Sequence, residues 1–140
     1  MNKIDEEKIY NAMVKGVFVE FCDLAIMYGL PVLETKFGDR DKAKKRIEAV
    51  QEVARLKTNN QKKRAKMGLK DINNENEYIK FLTGCFIELD LQLKTQLKRL
   101  LDDSDVEEAY DYFDKKLEEE KDLLLKEIRD LNKKEKKDDK

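Results

Sequence analysis

The sequence predicts an all-α protein, a helical bundle of about four helices with a long C-terminal antiparallel helical hairpin. Three observations predict it. Of 140 residues, 44% are charged and 40% hydrophobic, the mixture of long solvent-washed helices rather than of disorder. One proline and five glycines leave few helix interruptions and too little turn punctuation for a sheet-rich fold. The apolar residues recur at three- and four-residue spacing along four segments. A chain of this length fits one core, so residues 1–131 read as a single helical domain and 132–140 as a flexible charged tail.

The first helix is capped by Asp5, with Glu6 and Glu7 in its first turn, and is expected to run to about Tyr28. Its second half carries apolar residues around nearly the whole circumference, so several neighbours must bury it. Gly29 and Pro31 are expected to stop it. Val32, Leu33 and Phe37 then form an apolar connector folding back onto the core. A competing reading makes Val17 to Phe21 a strand, but VFVEF alternates weakly and nothing nearby pairs with it.

Asp39 or Asp41 caps the second helix, whose narrow stripe is Ala43, Ile47, Val50 and Ala54. Beyond Leu56 the stripe fades through Thr58, Asn59 and Asn60, and periodicity leaves the basic connector, about 55–73, open between helix and loop. A third helix begins at Asn73 or Asn74 and follows Ile79, Leu82, Phe86, Leu89, Leu93, Leu97 and Leu100. Ser104 and Glu107 form a capping box for the fourth, with the seam Val106, Tyr110, Phe113, Leu117, Leu124, Ile128 and Leu131. The short link around Asp102 and Asp103 makes the last two helices an antiparallel hairpin.

Net charge is −1, yet residues 36–70 carry 13 basic and four acidic groups, and residues 71–140 carry 14 basic and 21 acidic. Arg55, Lys57, Lys62, Lys63, Arg64, Lys66 and Lys70 are therefore the candidate surface for nucleic acid or another anionic partner, through phosphate-backbone contacts and counterion release. No aromatic residue is interleaved to stack on bases. Its opposite is an acidic face, Asp102, Asp103, Asp105, Glu108 and Asp111, suited to a basic protein patch. A charge run is usually a solvated face, and the two segments can also neutralise each other within one chain or between copies.

The chain has no histidine, which removes the commonest general base, metal ligand and nucleophile partner. There is no glycine-rich phosphate loop, no paired Cys-x-x-Cys and no EF-hand loop. Expected, then, are no enzyme activity, no metal, no cofactor and no small-molecule substrate. Glu20, Asp23 and Asp90 interrupt apolar faces; the first two are expected at a helix rim against Lys44 or Lys45, the sharper alternative being acids buried in a binding groove.

Cys22 and Cys85 sit in apolar helical sequence and read as free thiols of a cytoplasmic protein. MNKIDEEKIY lacks the order of a signal peptide, and Val17 to Leu33, with two acids, is too short to span a membrane. The expected function is a non-enzymatic binding or regulatory protein acting through protein–protein contacts, coiled-coil seams or self-association as a homo-oligomer. Nucleic-acid binding through residues 55–70 is the alternative. Abundant Lys, Asn, Ile, Asp and Glu fit an AT-rich coding sequence, as in a small accessory protein of a low-GC bacterium or its phage.

Overall fold

The computed structural model describes residues 3–101 and 103–138, with side chains of the last helix described from Val106 to Lys134. It is 90% helical, with four helices and no strand among the described residues. They are α1 (Glu6–Phe37), α2 (Arg40–Leu69), α3 (Glu75–Lys98) and α4 (Asp103–Asp138). The expected bundle is present, and Val17 to Phe21 lies within a helix rather than a strand.

Each start follows from local chemistry. The Asp5 carboxylate accepts from the Glu7 N–H at 3.0 Å, that of Asp39 from Asp41 at 2.8 Å, and the Asn74 side-chain carbonyl from Glu77 at 3.1 Å. Ser104, the expected cap of α4, lies outside the residues whose side chains are described.

Gly29 and Pro31 do not stop the first helix, which corrects the sequence expectation. α1 is wound in two places as a π-helix, at Asn11–Phe18 and Ala25–Gly29, and ordinary α-winding resumes at Leu30. Pro31 thus occupies the first turn of the resumed segment, the helical position that best accepts its fixed φ. The helix ends at Gly38, the one described residue with positive φ (65°), whose N–H donates to the Glu34 carbonyl at 2.8 Å. Of the expected connector, Leu33 reaches the core, whereas Phe37 stays 41% exposed.

Two further boundaries move. The basic segment is helical throughout, so the connector expected at about 55–73 shrinks to residues 70–74. The stripe of α2 continues through polar side chains: Thr58 and Gln61 are buried between Ala54 and Ala65. The Thr58 hydroxyl donates to the Ala54 carbonyl at 2.8 Å, and the Gln61 amide to the Gln92 side chain at 3.3 Å. The last helix runs on to Asp138, past the expected boundary at Leu131, with Asn132 turned inward.

Cross-helix pairs define the topology. Lys66 meets Glu6 and Lys62 meets Tyr10, Arg64 meets Glu88, Lys94 meets Asp114, and Lys8 meets Glu127. With Gln61 on Gln92 and Phe21 on Phe113, one number rises as the other falls between α1 and α2, α2 and α3, and α1 and α4, and the short link turns α4 back along α3, so each helix is antiparallel to its neighbours and α4 closes the ring against α1. This is an up-and-down bundle, and its last two members form the expected hairpin. The core joins Met13, Val17, Phe21 and Leu24 of α1 to Ile47 and Val50 of α2, Leu82, Phe86, Leu89 and Leu93 of α3, and Phe113 and Ile128 of α4. α2 packs extensively against both α1 and α3. Gly68 permits part of the contact with α3, since an added Cβ would stand 2.1 Å from the Phe81 ring.

α1 is also the helix that, by length and composition, could cross a membrane, with mean hydropathy 1.6 and 33% of its most apolar window buried in the bundle. The sequence argument that this tract is too short does not hold, because the helix is uninterrupted.

Candidate interaction surfaces

The basic candidates share one helix but not one face. Successive residues are 100° apart, so Arg55, Lys62 and Lys66 lean toward α1, Lys57 and Arg64 toward α3, and Lys63 and Lys70 outward. Four of the seven are engaged within the chain. Lys62 lies 4.5 Å from the Tyr10 ring centroid, and Lys66 is 3.2 Å from the Glu6 carboxylate. Arg64 pairs with Glu88 and covers the Phe81 ring at 5.5 Å. Arg55 donates to Glu52 at 3.0 Å, holding that exposed carboxyl below its ordinary value chiefly through the hydrogen bond. Lys57, Lys63 and Lys70 make no side-chain ion pair among the described residues. α2 as a whole still carries 11 basic and three acidic residues.

On the acidic side, Asp102 and the side chains of Asp103 and Asp105 lie outside the described residues. Glu108 and Asp111 are exposed on α4. α4 is diagonal to α2 in the ring, so the two charged helices cannot neutralise each other by direct contact within one chain. The protein therefore presents a basic edge and an acidic edge on opposite sides.

The expected pairing of Glu20 and Asp23 with Lys44 or Lys45 is not observed among the described residues. Asp23 is exposed, and Glu20 lies toward α4. There burial first, then the charge of Glu119, and to a lesser extent that of Glu20, push Glu120 upward. Asp90 is the acid that the fold does perturb. Its side chain is only 18% exposed, 3.2 Å from Lys94, which also reaches Asp114 at 2.6 Å. The other Asp90 carboxylate oxygen is buried without a partner. Burial, followed by the neighbouring Asp114 carboxyl, raises the Asp90 pKa to about 6 against the partial compensation of Lys94. Two carboxyls and one ammonium would carry a net negative charge if all ionised, and a proton on Asp90 balances them.

Neither cysteine is set up as a nucleophile. Both thiols are free, Cys22 half-buried and Cys85 buried. Burial, reinforced by Asp23, pushes Cys22 up to about 11, and burial raises Cys85 as well, so neither thiolate forms readily near neutral pH. Among the described residues no group of three or more Cys, Asp or Glu is placed to hold a metal ion. Surface grooves of about 440 Å³ along Lys15, Gly16, Glu120 and Glu127, and of about 380 Å³ along Ile26, Leu30, Arg40 and Lys44, bring no catalytic set together.

The second half of α1 is not buried all round as its apolar circumference predicts, and apolar side chains stand on outward faces of α1 and α3. Val19, Ile26 and Met27 are 45%, 50% and 60% exposed on α1, and Ile87 and Leu91 are 54% and 60% exposed on α3. A sequence signal for the second pair existed: both fall off the Leu82, Phe86, Leu89, Leu93 stripe by close to half a turn. Comparison of the chain with protein-family models, with curated proteins and with solved structures finds no match.

Proposed function

We propose that this chain is a non-enzymatic helical binding protein that acts through protein–protein contacts made by the outer faces of its bundle. The supporting observation is the placement of Val19, Ile26 and Met27 on α1 and of Ile87 and Leu91 on α3, outside the core of a chain that is 44% charged. Apolar side chains left on the outer faces of a highly charged chain are what contact surfaces present. α1 belongs to the bundle in this reading rather than to a membrane, because Met13, Val17, Phe21 and Ala25 are 0% exposed within it. Cytoplasmic residence and an accessory role in a bacterium or phage complete the proposal.

The experiment compares the intact chain with a variant carrying Val19→Asp, Ile26→Asp, Ile87→Glu and Leu91→Glu, by light scattering and by affinity capture from the native cell with nuclease added. Self-association, or a captured protein that the variant loses, is expected. A monomer that captures nothing the variant fails to capture would overturn the reading.

A second reading follows from the excess of basic groups along α2. It assigns nucleic-acid backbone binding to Lys57, Lys63 and Lys70 with Lys45, which shares the outward line of Lys63. Lys45→Glu, Lys63→Glu and Lys70→Glu together are then expected to weaken a low-salt gel shift at least tenfold, whereas Lys62→Glu should act less because that ammonium already lies on Tyr10. No shift of DNA or RNA by the unaltered chain at low salt removes this reading.

A further inference from the structure

α3 carries an uncharged outward strip in the order Gly84, Ile87, Leu91 and Thr95, bounded by Lys80 and Lys98. A Cβ added at Gly84 would meet nothing within 4 Å, so the backbone itself is open to approach there. The Thr95 hydroxyl donates back to the Leu91 carbonyl at 2.9 Å, which leaves its methyl group for the surface. The two flanks of this strip each hold ion pairs and differ in the sign of the charge left over. On the α2 side stands Arg64, beside Glu88 of α3, with Lys57 two turns away on the same side. On the α4 side stands Asp114, bound to Lys94, with Asp111 one turn before it and Glu118, held by Lys121, one turn after it, so that the acids outnumber the lysines.

We propose that a second copy of this chain covers the strip, in a two-fold dimer with the two α3 helices parallel. The symmetry follows from the charges. A two-fold axis parallel to α3 sets Lys57 and Arg64 of one copy against Asp111, Asp114 and Glu118 of the other, and does so on both sides of the strip. An axis perpendicular to the helices would run them antiparallel and set the basic flanks against each other. Ile87 and Leu91 then form the centre of an isologous contact, Gly84 allows close approach, and Lys80 and Lys98 extend into solvent at its ends.

This inference rests on the protein-contact reading above and narrows it to one face and one partner. Sedimentation velocity is expected to show twice the chain mass. Ile87→Glu with Leu91→Glu should weaken association at least tenfold while leaving thermal unfolding cooperative, since both positions are exposed. In a Cys22→Ser, Cys85→Ala background, Gly84→Cys and Thr95→Cys should each oxidise to a disulfide dimer with its own copy, as parallel helices require.

A wild-type monomer at high micromolar concentration would overturn the dimer while leaving a foreign partner in place. A dimer that survives the double glutamate change overturns this face but not self-association. Cross-linking only when the Gly84→Cys and Thr95→Cys chains are mixed would overturn the parallel arrangement.

Discussion

Phe21→Ala is expected to remove about 4 kcal/mol of folding stability, the range found when a fully buried phenylalanine is truncated. Phe21 is 0% exposed, and its ring meets Phe113 of α4 edge to face at 6.4 Å and lies alongside Phe18 at 6.5 Å. The truncation removes the transfer free energy of the ring and leaves a cavity between α1 and α4 that backbone motion fills only in part. Domains of this size hold roughly 5–15 kcal/mol in total, so one side chain carries a large share. Urea unfolding followed by circular dichroism measures the loss. A cycle with Phe113→Ala should also give a coupling of about 1 kcal/mol, because the rings touch. Val19→Ala, at a 45% exposed position, is the control and should change stability by less than about 0.5 kcal/mol. A loss below about 1 kcal/mol for Phe21→Ala would show that α1 is not the core helix described here.

Asp90→Asn is expected to stabilise the protein near neutral pH and to do nothing in mild acid. The folded chain raises the Asp90 pKa from 3.8 to about 6, so it holds that proton more tightly than the unfolded chain does. The resulting contribution to stability is complete below about pH 4 and is lost as pH rises through 6. Above that, an ionised and mostly buried carboxylate stands beside Asp114 with one oxygen unpartnered. A shift of about two units is worth at most about 3 kcal/mol, and solvent screening reduces it, so a gain of about 1–2 kcal/mol is expected. The asparagine amide can donate to Asp114 while its carbonyl accepts from Lys94. Chemical denaturation at pH 7.5 and at pH 4 tests the sign: a variant less stable than the parent at pH 7.5 would mean that the ion pair with Lys94 outweighs the cost of burying the charge.

The four helices and the caps of the first three were legible because both signals are local. Asp5, Asp39 and Asn74 accept from N–H groups two or three residues on, and core leucines repeat every turn or so. The uninterrupted course of α1 was not legible, since Gly29 and Pro31 are ordinary stop signals and the winding that carries the helix past them leaves no mark on apolar spacing. Thr58 and Gln61 looked like the fading of a stripe; their polar atoms find Ala54 and Gln92, and only the assembled α2 and α3 supply the second of these. The basic run shows the same limit. Its composition was plain, but Tyr10, Glu6 and Glu88, which occupy Lys62, Lys66 and Arg64, arrive from other helices. Ile87 and Leu91 were readable as apolar residues off the stripe, and attention to charge obscured them.

Closure of the ring has a kinetic side. The hairpins α1–α2, α2–α3 and α3–α4 each join segments linked by a few residues, whereas the α1–α4 seam, with Lys8 on Glu127, joins positions more than a hundred residues apart. Loop-closure entropy rises with the logarithm of chain length, so forming that seam from an open chain costs only about 3 kcal/mol more than forming a local hairpin. Once the three hairpins are in place the ends have already been carried together and even that difference disappears. A bundle wound up and down in this way reaches its longest-range contact by a series of short steps, the low-contact-order route along which helical proteins fold fast.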